Sequence, residues 1–309
     1  MPTRMVRATG LVAVLGMLGV AGWMLAPPRE AMRGHTTSGT ARAPVAPRAL
    51  IRMPGTPEER RLALRNRLYE ELQPVRLEQC AMERVGEAQD GGYLLCANLL
   101  DVEAGYSYGI NNYDGWGCGI ATQYEVPVHQ YDCFDTRAPQ CATGTTRFHA
   151  ECIGGEASTD ADGRRFDTLA AQLRRNGDAS RRVVVKMDVE GAEWESLLAT
   201  PREVLERIDQ LTLELHEKSV DLWTYYLVVM KLKDVFHIVN LHFNNYACRP
   251  GLDPFPSWAY EVLLVNKRFG EASRDTSPVL RPHPLDTPND PRTPDCQYVA
   301  QGVGARPGP

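Results

Sequence analysis

Apolar and polar positions change rhythm several times along this chain of 309 residues. The sharpest change falls in Val183-Val-Val-Lys-Met-Asp-Val-Glu-Gly-Ala-Glu193. Val183 to Val185 form a β-branched run, Gly191 interrupts it, and Trp194 to Leu198 resume an apolar pattern. That sequence predicts a buried strand, a tight turn and a helix. Continuously apolar strands belong to parallel sheets covered on both faces, and ligands of such sheets sit beyond the carboxyl ends of the strands. Asp188 and Glu190 therefore fall where chemistry is done. The plainer alternative is a surface turn with solvated acids and with Glu193 well placed at a helix start.

The same reading extends to both sides. Thr56-Pro57-Glu58-Glu59 is a helix start with a capping box, Leu64, Leu68 and Leu72 keep helical spacing, and Pro74 ends the helix. Asp90-Gly91-Gly92 marks a turn inside Val85 to Leu95, predicting a hairpin. From Gly105 strands and helices alternate. Tyr106 to Tyr108 is a strand, Gly109 to Gly115 a polar loop, and Trp116 to Tyr124 a helix. Val126 to Tyr131 and Arg147 to Ile153 are strands, and Phe166 to Asn176 is a helix stopped by Gly177. After the Val183 strand come a strand at Gln210 to Leu215 and a helix at Val220 to Phe236. Strands at Val235 to Phe243 and Tyr260 to Asn266 complete the order. Alternating βα units closed by a strand pair predict an α/β fold. Its sheet is doubly wound, seven-stranded and mostly parallel, with one antiparallel strand.

Outside this block the pattern fades. Pro27 to Gly55 is rich in Pro, Ala, Arg and Thr and reads as a flexible stalk. The chain after Arg268 is Pro-rich and poor in apolar residues, and reads as a mostly disordered tail that Cys296 alone is in a position to staple. The expected layout is thus 1–26, 27–55, an N-terminal helix and hairpin over 56–104, the main domain over 105–268, and a tail over 269–309.

Composition narrows the setting. A net charge of −5 leaves no basic footprint for nucleic acid. Arg4 and Arg7 precede an uncharged stretch from Ala8 to Ala26. Its length is at the lower end of a bilayer span, and the basic flank favours a type II signal-anchor. A cleaved signal peptide is the rival. Either one delivers the remainder to the secretory lumen, Golgi or endoplasmic reticulum, or outside the cell. The eight cysteines, with no CxxC pair, fit disulfides rather than structural zinc.

Several residues are candidates for chemistry. Gly109 lets a ligand approach the first loop closely, and Asp132 ends the second strand, where a ribose hydroxyl is gripped in nucleotide-binding folds. His149, inside a strand, reads as a packed side chain. Alternation puts Lys186 with Asp188, and Glu214 with His216, on shared strand faces, with His242 near the next strand end. Proton transfer by His216 or Asp188 ranks first, a buried polar network second, and a carboxylate-held metal last. No metal is assigned.

These stretches resemble the FkbM-like S-adenosylmethionine-dependent methyltransferases, and within them the methyltransferase-like protein 24 group. The resemblance is carried by Tyr106-Ser-Tyr-Gly-Ile-Asn111, Val128-His-Gln-Tyr-Asp-Cys133, Phe148-His-Ala-Glu-Cys-Ile-Gly154, Val185 to Trp194, Leu211-Thr-Leu-Glu-Leu-His216, Leu241-His-Phe-Asn-Asn245 and Glu261-Val-Leu-Leu-Val-Asn-Lys267. It covers about residues 80 to 268 and implies a Rossmann-like methyltransferase fold that binds S-adenosylmethionine. By position it implies Tyr108, Gly109, Ile110 and Asn111 against the methionine part, Asp132 on the ribose hydroxyls, and Asp188 near the sulfonium. From the residues themselves, Asp188, Glu190 and His216 are the candidate catalytic set. Two departures stand out. The first loop reads Tyr-Gly-Ile-Asn instead of the family's Asp-x-Gly-Ala-Asn-x-Gly. Cys133 replaces a frequent Pro, so that Cys133, Cys141 and Cys152 point to a disulfide-bearing insertion.

The expected activity is O-methylation of a hydroxyl on a lumenal or extracellular acceptor, whether glycan, lipid, protein or small molecule. A catalytically silent binding module on the same fold is one alternative, since fold does not fix function. A lumenal glycosyltransferase is another, favoured by the anchor and stalk, with Asp188-Val-Glu190 a poor substitute for a manganese–nucleotide site.

Overall fold

The computed structural model describes residues 55–217, 222–275, 279 and 281–296. The expected anchor, nearly all of the expected stalk and the end of the expected tail lie outside the described residues. Helix α1 (Pro57–Glu71) starts as anticipated. The Thr56 side chain accepts the Glu59 amide, and Glu59 returns the bond to the Thr56 amide. Strands β1 (Met82–Val85) and β2 (Tyr93–Cys96) form the antiparallel hairpin around Gly91.

Then follow β3 (Ala104–Tyr108), α2 (Gly115–Gln123), β4 (Val128–Tyr131) and β5 (Thr146–His149). Three short strands, β6 (Cys152–Ile153), β7 (Ser158–Thr159) and β8 (Arg165–Asp167), make a separate small sheet. After α3 (Leu169–Asn176) come β9 (Val183–Met187), α4 (Glu193–Ala199), α5 (Arg202–Leu205) and β10 (Ile208–His216). Helix α6 (Leu222–Val235), β11 (Phe236–Phe243) and β12 (Ala259–Asn266) complete the order.

The main sheet has seven strands in the order β11-β12-β10-β9-β3-β4-β5. Strands β10, β9, β3, β4 and β5 are mutually parallel, and β12 runs antiparallel to both of its neighbours. The mixed α/β sheet with a single reversed strand is therefore as the sequence predicts. The chain leaves β3 toward β4 on one side and returns to β9 on the other, so the winding reverses between β3 and β9.

Side-chain alternation sorts β9 onto two cores. Val183, Val185 and Met187 pack with Leu68, Leu173, Trp194, Leu197 and Val229, beneath helices α1, α3, α4 and α6. Val184 points the other way, into a core with Trp116, Ile120, Leu95 and Val265. Each such buried aliphatic contributes about 1.5–3 kcal/mol. The second face is covered by α2 and by the hairpin, which is stitched to the sheet. The Gln210 side chain accepts the Cys96 amide at 2.8 Å and donates to the Cys96 and Leu99 carbonyls at 2.7 and 2.9 Å.

Three expectations need correction. The strand expected over 147–153 is two strands in different sheets, because the chain turns between His149 and Cys152 and β6 pairs with β8 instead. The helix expected from Phe166 begins at Leu169, after Phe166 has joined β8 and Thr168 has capped the first turn. Residues 281–296 are not loose. Asn289 and Asp290 are buried, and Asn245 bonds to Asp290 and Thr293. A disulfide joins Cys248 to Cys296, so composition understated the order of this strap.

The other bridges are Cys80–Cys96, Cys118–Cys141 and Cys133–Cys152, so that the four together use all eight cysteines. Four disulfides fit an oxidising, secretory-type compartment. Among the described residues no helix is long and apolar enough to cross a membrane.

Candidate functional site

The loop after β3 is held from three sides. The Asp132 carboxylate, at the end of β4, accepts the amides of Ile110 at 3.0 Å and Asn111 at 2.7 Å through Oδ2. Its Oδ1 accepts the amides of Phe134 at 2.9 Å and Asp135 at 3.0 Å. From β9, Lys186 Nζ donates to the carbonyls of Tyr108 at 3.2 Å and Gly109 at 2.8 Å. Gly109 has φ +71°, and a Cβ there would stand 1.6 Å from the Asp188 carbonyl oxygen. Glycine is thus required by the close passage of the loop against the end of β9.

These elements enclose a cavity of about 450 Å³ beyond the carboxyl ends of β3, β4 and β9. It lies at the reversal of the winding, where ligands of open α/β sheets sit, and its size is ordinary for a small-molecule site. Tyr108, Gly109, Asn111, Asp132, Asp188 and Glu190 all line it. Asp132 and Asp188, from the ends of two different strands, thus border the same cavity. Backbone strain gathers around the same space, with positive φ at Asn111 (44°), Asn112 (66°) and Glu190 (58°); such residues cost of order 1 kcal/mol each and cluster at functional sites.

Asp132 departs from its expected role. A carboxylate has about four acceptor positions, and all are taken by main-chain amides. Asp132 therefore fixes the loops, and the ribose grip expected of it has no free oxygen to use.

His216 also departs from expectation. It is not among the residues that line the cavity; it lies behind Asp188 and Glu190, only 3% exposed. Its Nε2 stands 3.9 Å from Asp188 Oδ1, 3.8 Å from Glu190 Oε2 and 3.8 Å from Glu214 Oε1. Its Nδ1 is 3.2 Å from Glu193 Oε1, which also accepts the His216 amide at 2.6 Å. Glu193 is itself fully buried, and its Oε2 accepts the Gly191 amide at 2.8 Å. Burial alone would lower the imidazole. The bond to Glu193 and the charges of Glu193, Asp188 and Glu190 together outweigh it, and His216 is held above its ordinary value.

On the other side of Asp188, the Tyr93 hydroxyl lies 3.1 Å from Asp188 Oδ2 and 3.4 Å from Glu214 Oε2. Burial, then the charges of Asp188 and Glu261, push Glu214 well above the carboxylate range. The Tyr93 hydroxyl donates to the nearer of the two, Asp188 Oδ2, with Glu214 Oε2 beside it. The Asn244 side chain satisfies Glu214 Oε1 at 2.7 Å.

Sequence reasoning missed part of this site. Asp90, in the hairpin turn, lines the cavity and accepts from Asn289 of the strap at 3.1 Å; its Asp-Gly-Gly context was legible only as a turn. Phe134 and Asp135 also line the cavity, at positions with no distinguishing pattern, and so do Glu151 and the Cys133–Cys152 bridge, whose cysteines the sequence marked only as a disulfide-bearing insertion. His242 is drawn away from it. Its ring pairs with Glu261 at 3.3 Å and with Asp295 of the strap at 3.3 Å. His149 is a packed side chain, stacked on Tyr131 with centroids 4.4 Å apart and bonded to His129 at 3.0 Å.

The glycosyltransferase reading had only Asp188-Val-Glu190 as a stand-in for an Asp-x-Asp, and this needs correction: Asp160-Ala-Asp162 is one, and it closes the β7–β8 turn. Asp160 accepts the amides of Asp162 and Arg164 at 3.0 and 2.9 Å, and both acids pair with the Arg164 guanidinium. Among the described residues, no His, Cys, Asp and Glu group has the geometry to hold a metal ion. Compared with protein-family models, curated proteins and solved structures, the chain shows no match.

Proposed function

We propose that this chain is an S-adenosylmethionine-dependent methyltransferase of the FkbM-like type, acting on a hydroxyl of a lumenal or extracellular glycan, lipid or protein. The observation that carries it is the charge of the cavity wall. Asp90, Asp135, Glu151, Asp188 and Glu190 line the cavity with aromatic surface from Tyr108, Phe134 and Phe166, and among the described residues no Lys, Arg or His lines it, although Arg137 pairs with Asp135, and Arg165 and Arg175 with Glu151, from outside the wall. Such a wall suits a cationic ligand with a flat ring system and repels a diphosphate. Tyr108 adds a buried hydroxyl without a hydrogen-bond partner. The seven-stranded order with one reversed strand also agrees with the fold that the resemblance implies.

When bound, the sulfonium supplies an electrophilic methyl group. The Tyr108–Asn111 loop would hold the methionine part; Asp132 is saturated, and the next acids on the wall, Asp135 and Glu151, are paired with Arg137 and with Arg165 and Arg175, so a ribose contact there would compete with those guanidinium groups. In-line transfer needs the acceptor oxygen aligned and its proton removed. Asp188 has the reach for that step, because its side chain is 25% exposed while His216 is enclosed. Its Oδ2 is held by Tyr93 and lies 3.6 Å from Lys186, which leaves Oδ1 as the proton acceptor. Glu190, 70% exposed, stands at the rim and steers a cation inward.

One observation favours a second reading, a catalytically silent binding module. The four amides on Asp132 close off the expected ribose partner. The glycosyltransferase alternative is disfavoured by the acidic wall and by the use of Asp160 and Asp162 in a turn. The disulfides support an oxidising, secretory-type setting for the activity.

Thermal melting of the purified protein separates these readings. S-adenosylhomocysteine at a hundred times its Kd adds about 2.7 kcal/mol of stability, whereas a sugar nucleotide with manganese leaves the melting point unchanged. The reverse pattern supports the glycosyltransferase.

A further inference from the structure

The imidazole of His216 is surrounded by acceptors. Both ring nitrogens face carboxylate oxygens: Nδ1 toward Glu193, and Nε2 toward Asp188, Glu190 and Glu214. A neutral imidazole has one donor and one lone pair; the tautomer protonated at Nδ1 satisfies Glu193 but leaves the Nε2 lone pair facing three acids 3.8–3.9 Å away, beyond hydrogen-bond reach but within ion-pair range. The doubly protonated ring removes the conflict. Glu193 favours it further, because it is wholly enclosed, fixed at one oxygen by the Gly191 amide and at the other by the His216 amide. Trp194 Nε1 donates to the His216 carbonyl at 2.7 Å and fixes the backbone from the same helix turn.

We propose that Glu193 and His216 are positioning residues for the cavity: Glu193 holds His216 as an imidazolium whose Nε2 turns toward Asp188 and Glu190, fixing where those carboxylates point.

The groups bearing on the ring come from every element around it. Asp188 and Glu190 follow β9, Glu193 opens α4, and Glu214 is on β10 itself. The Trp258 ring lies 6.0 Å from the imidazole. Lys186 and Tyr93 act one step away, through Asp188. Glu214 is the acid pushed toward its protonated form, so the imidazolium serves chiefly Asp188, Glu190 and Glu193. The inference rests on the proposed methyl-donor reading only for the ligand, since the ionic state of His216 is a property of the protein alone.

Histidine-selective carbon and nitrogen NMR of the full chain tests it, with the His216 signal assigned by its loss in His216→Gln. Both ring nitrogens of His216 are expected to be protonated at pH 7, with a midpoint above the ordinary value of about 6.5. In Glu193→Gln the midpoint falls by about one unit or more. Asp188→Asn, on the exposed side, lowers it by less and serves if Glu193→Gln fails to fold. A neutral His216 at pH 6, or a midpoint unmoved by both variants, overturns the proposal.

Calorimetry adds a readout that a merely structural role would not move. S-adenosylmethionine and S-adenosylhomocysteine differ by the charge on sulfur. Removing the imidazolium in His216→Gln is expected to favour the sulfonium over the thioether by about threefold or more. An unchanged ratio counts against the proposal. Absence of binding by either compound to the wild-type chain instead defeats the methyl-donor reading, and the NMR result still decides the role of His216.

Discussion

The Asp132 carboxylate lies 2.7 Å from the amide nitrogen of Asn111, and this contact fastens the first loop of the sheet to the end of the neighbouring strand. With the amides of Ile110, Phe134 and Asp135 on the same carboxylate, Asp132 acts as a clamp. Asp132→Asn turns a donor group toward main-chain donors. Charge-assisted bonds of this kind are worth about 1.5–3 kcal/mol, so a stability loss of about 2–4 kcal/mol is expected from urea unfolding. An unchanged midpoint would mean that the carboxylate serves a ligand instead.

Gly109 makes a comparable prediction from sterics. Its φ of +71° and the 1.6 Å separation between a built Cβ and the Asp188 carbonyl leave no room for a side chain. Gly109→Ala should cost about 3 kcal/mol or more, from left-handed strain and displacement of the loop. Thermal unfolding checks it.

His242 sets a pH dependence. Burial alone would lower it, but bonds to Asp295 and Glu261 prevail and hold it at about 10. The folded value is raised above the unfolded value of about 6.5. Its contribution is therefore complete below about 6.5 and is lost as pH rises through about 10. Melting temperature should fall between pH 7 and pH 10 as a contribution on the order of 2–4 kcal/mol fades. His242→Gln should flatten that slope; an identical slope in the variant would exclude His242 as its source.

The strap provides a further case. Cys248 and Cys296 are 48 positions apart, and the bridge holds the segment that carries Asn289 and Asp295. Closing a loop of that length stabilises by about 4 kcal/mol in the chain-entropy account. Replacing both cysteines by serine should lower stability by up to that amount and expose residues 286–296 to protease. Unchanged protease resistance would show that the polar contacts alone hold the strap.

The sheet was legible because Val183 to Val185 and Leu211 to Leu215 announce buried strands, and Thr56, Pro57 and Glu59 announce a helix start. The site was legible where chemistry follows a strand end, as at Asp188 and Glu190. It was not legible where distant segments meet. Nothing local in Asp90 or Asn289 says that a hairpin turn and a C-terminal strap join at 3.1 Å beside the cavity. Composition misread the strap for the same reason, since its order comes from Asn245, His242 and a disulfide rather than from apolar residues. Asp132 and His216 were found by position, but their roles depend on which amides and carboxylates face them.

Calorimetric titration of S-adenosylmethionine into the wild-type chain and into Asp188→Asn tests the central claim most directly. The account predicts saturable binding to the wild type, with affinity reduced about tenfold or more in the variant as the sulfonium loses a facing charge. No heat at millimolar ligand with folded protein, or equal affinity in both proteins, would contradict it.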